Sequence, residues 1–354
     1  MDVPLWAWLA TVGLIVAMLV VDFMGHVRKA HAPSLKEAGL WSAGYVLIAL
    51  VFGGFVLLEW GSDYGLQYFS GYITEKSLSV DNLFVFVLIM ASFRVPRKYQ
   101  QKVLLIGIVI ALVLRTLFIV LGAAIVNEFA WVFYIFGAFL IYTAITQVRK
   151  SEEDEEFKEN AALRLVRRVF PTTEGYVDDK MFTRSSGRMH VTPMFIVILA
   201  IGSADILFAV DSIPAIFGLT QEVFLIFAAN AFSLLGLRQL YFLIDGLLDR
   251  LVYLNYGLAA ILAFIGAKLV IHALHENEVP FINGGQEWHV IPEVNTYVSL
   301  IVIVGILTVT TVTSLLAGRR SATAVEVTAA AEEASTAVGE DDGEPRSSLG
   351  DLYR

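Results

Sequence analysis

Two stretches of the chain put carboxylates where a lipid bilayer would have to enclose them. One reads Glu75-Lys76-Ser77-Leu78-Ser79-Val80-Asp81-Asn82, the other Asp205-Ile206-Leu207-Phe208-Ala209-Val210-Asp211-Ser212. Each sets an acid ahead of a Val-Asp step that ends in a small polar residue. Carboxylates in hydrocarbon are costly, and where they occur they mark ion pathways and proton relays. Two matching settings predict two half-sites facing each other around a cation. Its candidate ligands are Glu75, Asp81, Asp205 and Asp211, with Asn82 and Ser212 as neutral oxygen groups beside them. Asp22 is a fifth acid and a further candidate. Arg115, Arg238 and Lys268 lie at membrane depth, and they are expected to serve as structural counter-ions, since an unpaired buried charge costs several kcal/mol.

The elements that must carry these groups are apolar helices. Hydrophobic residues make up 57% of the 354, and the mean hydropathy is +0.69, above the soluble range. Runs of about 20 apolar residues follow one another, the mark of an all-α polytopic membrane protein. Nine transmembrane helices are expected, at about 5–26, 39–58, 70–93, 102–124, 129–148, 191–218, 222–244, 251–272 and 295–316. Lys and Arg gather in alternate connections, after the first, third, fifth, seventh and ninth spans. The other connections hold Glu59, Asp63, Glu128, Glu222 and Glu287 without a basic residue. The positive-inside rule then places the N-terminus outside and the C-terminus in the cytoplasm of a plasma or inner membrane. The first run carries Asp2 where a secretory leader would be basic, so it reads as a retained span.

The duplication extends past the acids. Leu114-Arg115 parallels Leu237-Arg238, and Phe136-Gly137 parallels Tyr256-Gly257. The chain therefore divides into two leading spans (1–69), a three-span unit (70–148), a charged cytoplasmic loop (149–190) and a second three-span unit (191–274). An outer loop with the ninth span (275–316) and a disordered acidic tail (317–354) complete it. Units of three spans enter the membrane from opposite sides, which is a three-plus-three inverted repeat, and transporters of this kind bind cargo near the midplane. Six residues on an α-helix turn through about 600°, leaving the two acids of each motif about 120° apart. With Pro214 close by, this predicts a broken helix at 211–214.

Several chemistries are excluded. The chain has no cysteine, so disulfides, thiolate metal sites and thiol redox chemistry are absent. Hard, oxygen-seeking ions such as Mn²⁺, Mg²⁺ and Ca²⁺ remain suitable guests. No Gly-rich nucleotide loop and no His-Glu-x-x-His pattern occurs, so neither an ATP-driven pump nor a zinc hydrolase is expected. The chain reads as a non-enzyme with no prosthetic group and no nucleic-acid partner. His26, His31, His272, His275 and His289 fall near span ends or in loops and read as solvated.

The segment Phe208-Ala209-Val210-Asp211-Ser212-Ile213-Pro214-Ala215 resembles the signature of the TerC/Alx family of integral membrane proteins. Glu75, Asp81-Asn82 and Leu235-Gly236-Leu237-Arg238-Gln239-Leu240-Tyr241 strengthen the match. The resemblance covers about residues 5–275 and is similar, at a distance, to the lysine-exporter superfamily. It implies a manganese exporter with the motif acids as ligands and Mn²⁺ as transported substrate. One departure stands out: Gly202 occupies the position, three before Asp205, where many members carry glutamate. The expected function is secondary export of Mn²⁺ or a similar hard divalent cation, with protons as coupling ion. The competing expectation is a non-transporting accessory protein that delivers metal to secreted enzymes or organises a metal-stress complex.

Overall fold

The computed structural model describes residues 1–27, 33–129, 131–149, 172–173, 175–185, 188–244, 253–277, 279–280, 282–288, 290–314 and 316–317. For residues 26, 27, 81, 84, 127, 185, 188, 211 and 244 it describes the backbone alone. The acidic run at 152–156 and the tail beyond 317 lie outside the described residues.

Helix α1 (Leu5–Asp22) continues into a π-helical turn, Phe23–Val27. Ser34 opens α2 (Leu35–Trp60) with a reciprocal capping box to Glu37, which satisfies two backbone donors at once. Gly61 then turns the chain at φ +99° directly into α3 (Ser62–Ser92), a backbone region that suits glycine. Next come α4 (Arg97–Glu128) and α5 (Val132–Arg149). A small antiparallel hairpin, β1 (Phe182–Ser185) with β2 (Arg188–Val191), pairs Phe182 with Val191. Pro193 then starts α6 (Pro193–Phe217), the first-turn position where a missing N–H costs nothing. The remaining helices are α7 (Val223–Leu235), α8 (Leu237–Ile244), α9 (Leu254–His275) and α10 (Thr296–Ser314).

The chain is thus a helical multi-pass membrane protein with a short hairpin in its central loop. The hairpin is an addition to the all-α expectation. Among the described residues eight helical segments are long and apolar enough to cross a membrane, with α7 and α8 counted as one. Helix α3 is long enough at 31 residues but too polar to be among them. Protein encloses much of it: α3 packs on α2, α6, α7 and α8, so Glu75 is buried and Lys76 meets a carbonyl of α7.

Two expectations need correction. Helix α3 begins at Ser62, eight residues before the apolar run that announced it, which makes Glu75 a mid-helix residue and not one near the outer surface. The break foreseen at 211–214 is absent, because α6 runs unbroken through Pro214 to Phe217. So late in the helix, proline forfeits a single bond to the carbonyl four residues back. The interruption falls instead at Gly236, between α7 and α8.

Helix α7 is the core element, with Phe224 through Leu235 all buried. Around it the helices pair crosswise: α3 against α7, α4 against α6, and α5 against α9. The last pair touches backbone to backbone. A Cβ on Gly137 would stand 2.8 Å from the Gly266 carbonyl oxygen, and one on Gly266 would stand 2.9 Å from that of Gly137. Small residues permit such approach between membrane helices. Gly257, the expected counterpart of Gly137, instead meets Thr310 of α10.

Candidate functional site

Three buried charges meet at the middle of three long helices. Arg115 of α4 donates from Nη1 to Glu75 Oε2 of α3 at 2.9 Å. It reaches Asp205 of α6 with two bonds, Nε to Oδ2 at 3.2 Å and Nη2 to Oδ1 at 3.1 Å. All three residues are within 1% of complete burial. The fork of a guanidinium matches a carboxylate in this two-bond geometry. Asn82 completes the cluster: with its amide nitrogen on the Leu78 carbonyl (3.1 Å), its oxygen accepts from Arg115 Nη2 at 3.3 Å. Two carboxylates face one guanidinium, so the ionised cluster keeps a net charge of minus one. Glu75 Oε1 has no hydrogen-bond partner. The Asn230 carboxamide of α7 approaches this carboxylate, yet neither of its polar atoms attains bonding geometry.

A second cluster lies at the end of α1. Arg238, near the start of α8, donates from Nη2 to Asp22 Oδ1, and Tyr45 donates its hydroxyl to the same oxygen at 2.8 Å. Asp22 and Arg238 are buried, while Nε and Nη1 of Arg238 have no acceptor. The π-helical turn starts directly after Asp22, and such turns recur at functional positions. Asp22 is therefore placed apart from the Glu75–Arg115–Asp205 cluster.

The expected ligands stand as follows. Glu75, Asp205 and Asn82 are brought together on Arg115. Ser212 is buried with its hydroxyl unpartnered. Asp81 and Asp211 have their backbones on α3 and α6, six residues along from Glu75 and Asp205; their side chains lie outside the described set. Among the described residues no group of three or more His, Asp or Glu converges as a metal site would require.

Lys268 lies elsewhere. It lines a cavity of about 620 Å³ together with Asp63, Gln67, Thr220, Glu222, His272 and Glu293, within the electrostatic reach of Glu293. His272 and His275 are not free loop residues. His272 Nδ1 lies 2.9 Å from Glu293 Oε1 and its Nε2 lies 2.8 Å from Gln221 Nε2. His275 Nε2 lies 2.6 Å from the Ile291 carbonyl. The hydrogen bond from His272 holds the Glu293 carboxyl below the usual range. At the rim, the Met1 ammonium bonds Glu222 at 2.9 Å; the Glu222 and Tyr64 side chains raise its pKa to about 10.

Sequence reasoning passed over Tyr45, Lys76, Asn230 and Ser233. Lys76 donates to the Ser233 carbonyl at 3.2 Å, in the last turn of α7, and Ser79 shares a 3.2 Å hydrogen bond with the Ser233 hydroxyl. A signal existed for two of them: Lys76 sits inside the acidic motif, and Asn230 interrupts an otherwise apolar span.

The comparisons with known proteins agree with this architecture. Residues 60–322 match the model described as "Integral membrane protein TerC family". The chain is 51% identical over 316 residues to the uncharacterized membrane protein Mb2742 of Mycobacterium bovis, covering 88% of this chain and 79% of that one. It is 40% identical over 316 residues to the uncharacterized membrane protein STKORF319 of Myxococcus xanthus, covering 89% and 94%. With the Escherichia coli K12 protein named "Putative membrane-bound redox modulator Alx" it shares 37% identity over 276 residues, covering 75% and 85%. No solved structure matches the chain. A match across most of the chain, on helices that carry their charges inside, leaves one conclusion: the chain belongs to the TerC family of integral membrane proteins.

Proposed function

We propose that this protein is a secondary transporter exporting Mn²⁺, or a similarly hard divalent cation, from the cytoplasm. The observation that carries the reading is the mid-helix cluster of Glu75, Asp205 and Arg115, anionic overall and enclosed by protein. An acidic site at that depth attracts a cation and repels an oxyanion. Arg115 then acts as the resident counter-ion that keeps the two carboxylates together between transport events. Asp81 and Asp211, one and a half turns further along α3 and α6, are the ligands proposed to join them, with Asn82 and Ser212 as neutral donors. Protons are the proposed coupling ions, with Glu75 as ligand or carrier.

Crosswise packing supports the inverted repeat. If α3, α4 and α5 correspond to α6, α7–α8 and α9, the α3–α7 contact maps onto the α4–α6 contact and the α5–α9 pair maps onto itself. The basic loops support an outside N-terminus and a cytoplasmic C-terminus in the cell membrane. The chain itself is proposed to catalyse no reaction. The redox role in the name of the Escherichia coli relative cannot rest on thiols here, because the chain has no cysteine.

The test is cytoplasmic manganese, measured by elemental analysis in cells lacking other exporters. Wild type, Asp81→Asn and Asp211→Asn are expressed at matched levels. Wild type alone should lower cellular manganese. Equal levels in all three would remove the export reading and bring the accessory role forward.

A further inference from the structure

The two crossed helix pairs differ in what lines them. Between α4 and α6 the contact is notched by glycine and cross-braced by the two bonds of Arg115 to Asp205. A Cβ at Gly107 would come within 2.7 Å of Ile201, at Gly122 within 3.0 Å of Phe217, and at Gly202 within 3.3 Å of Ile110. Such a surface is made to stay shut.

Between α3 and α7 the contact is a polar band. Along α3, Gln67, Ser70 and Thr74 fall three and four residues apart, and so do Glu75, Ser79 and Asn82, which makes two adjoining polar stripes. Asn230 and Ser233 are their counterparts on α7. Both ends of the band are bonded: Gln67 accepts from Thr220 at 2.6 Å, and Ser79 shares its bond with Ser233. The stretch between is not. Ser70 Oγ, Thr74 Oγ1, Glu75 Oε1 and both polar atoms of Asn230 are buried without a hydrogen-bond partner among the described residues. Each such group forfeits its hydration and gains nothing in return, so the closed seam is weaker than an apolar one of the same area. Water between the helices would satisfy every one of them.

The band also leads somewhere. Gln67 lines the cavity that carries Asp63, Glu222 and Glu293 with Lys268 among them, and the surplus of carboxylates there attracts cations. From Gln67 to Glu75 is eight residues, about 12 Å of helix. We infer that the α3–α7 seam is the route by which ions pass between this cavity and Glu75, and that it opens while α4–α6 and α5–α9 remain closed. The inference rests on the transport reading above, and it identifies which of the two related contacts moves.

A chain without cysteine allows a direct test on the full-length protein in its membrane. Ser70→Cys and Thr74→Cys should react with a small membrane-impermeant thiosulfonate, added at the cavity face, at least tenfold faster than Leu140→Cys, which is buried on α5. The double variant Ser79→Cys/Ser233→Cys sets two thiols at a spacing a disulfide can bridge. Its oxidation should cut Mn²⁺ transport at least tenfold, with recovery on reduction. Oxidation of Ile110→Cys/Gly202→Cys, across α4–α6, should leave transport unchanged. Reduced protein serves as the folding control for each pair. If Ser70→Cys and Thr74→Cys are as inert as Leu140→Cys, or if the oxidised seam pair transports at its reduced rate, the route is wrong. Labelling needs no metal, so a reactive seam in a protein that moves no Mn²⁺ would overturn the cargo and keep the route.

Discussion

The Arg115 and Arg238 clusters solve one problem in opposite ways. Arg115 engages two carboxylates and an amide across three helices, so carboxylates outnumber the guanidinium in its cluster. Arg238 engages one carboxylate, Asp22, and two of its nitrogens go without an acceptor. The same division separates α4–α6, which is tight and braced by Arg115 on Asp205, from α3–α7, which is polar and incompletely bonded among the described residues. A buried arginine is common to both clusters; a second carboxylate belongs, among the described residues, to the first alone. The difference teaches that two similar stretches of sequence build unlike sites: one gathers two carboxylates on a single arginine, the other ties one helix end to its neighbour.

The strongest way to break this comparison is Arg115→Gln, which leaves Glu75 and Asp205 buried and mutually repelling. A loss of about 3–5 kcal/mol is expected, read as a lowered unfolding midpoint in detergent, whereas Arg115→Lys should lose less and still lack the two-bond geometry. Next is Gly107→Val in the α4–α6 contact, where the new methyls have no room against Ile201. It should cost about 1–3 kcal/mol. Gly71→Ala on α3 meets Ala229 of α7 at 3.5 Å and the flexible end of Ile216 of α6 at 3.3 Å and should cost less in the same assay. Thr74→Val sharpens the contrast further: deleting an unpartnered hydroxyl at nearly constant shape should change stability by no more than about 1 kcal/mol, in the stabilising direction, while slowing transport. Equal effects at Gly107 and Gly71 would erase the distinction between the seams.

The smallest effect belongs to the cavity rim. The Glu293 carboxyl is depressed by His272, so the stability it contributes is present above its unfolded value of about 4.3 and is lost as pH falls through the folded value. Glu293 is half exposed, and solvent screening keeps the contribution small. Hydrogen exchange at residues 286–295 should quicken below pH 4 in the wild type and show no such step in Glu293→Gln.

Much of this was legible before any coordinates. Hydropathy placed the helices to within a few residues wherever lipid faces them, because lipid is what apolar periodicity reports. It failed at Ser62–Phe69 for the same reason, since that part of α3 turns Asp63, Tyr64 and Gln67 to a polar cavity. Pro214 suggested a break that its late position makes harmless, while Gly236 lay inside the motif quoted for the family and gave no warning. The acids were found by their type and setting. Their partners were not, because the union of Glu75 with Arg115, or of Lys76 with Ser233, depends on which helices cross.

Lys76 has one more consequence. Its ammonium is lodged on the terminal turn of α7, against the Ser233 carbonyl and close to Gly236, where a fixed cation suits the negative end of a helix. For a positive ion travelling the seam, that ammonium is a roadblock placed just past Glu75. An ion can reach the acid and return, but running straight through is uphill. In the proposed transporter, this one side chain would be a built-in safeguard against leakage across the membrane.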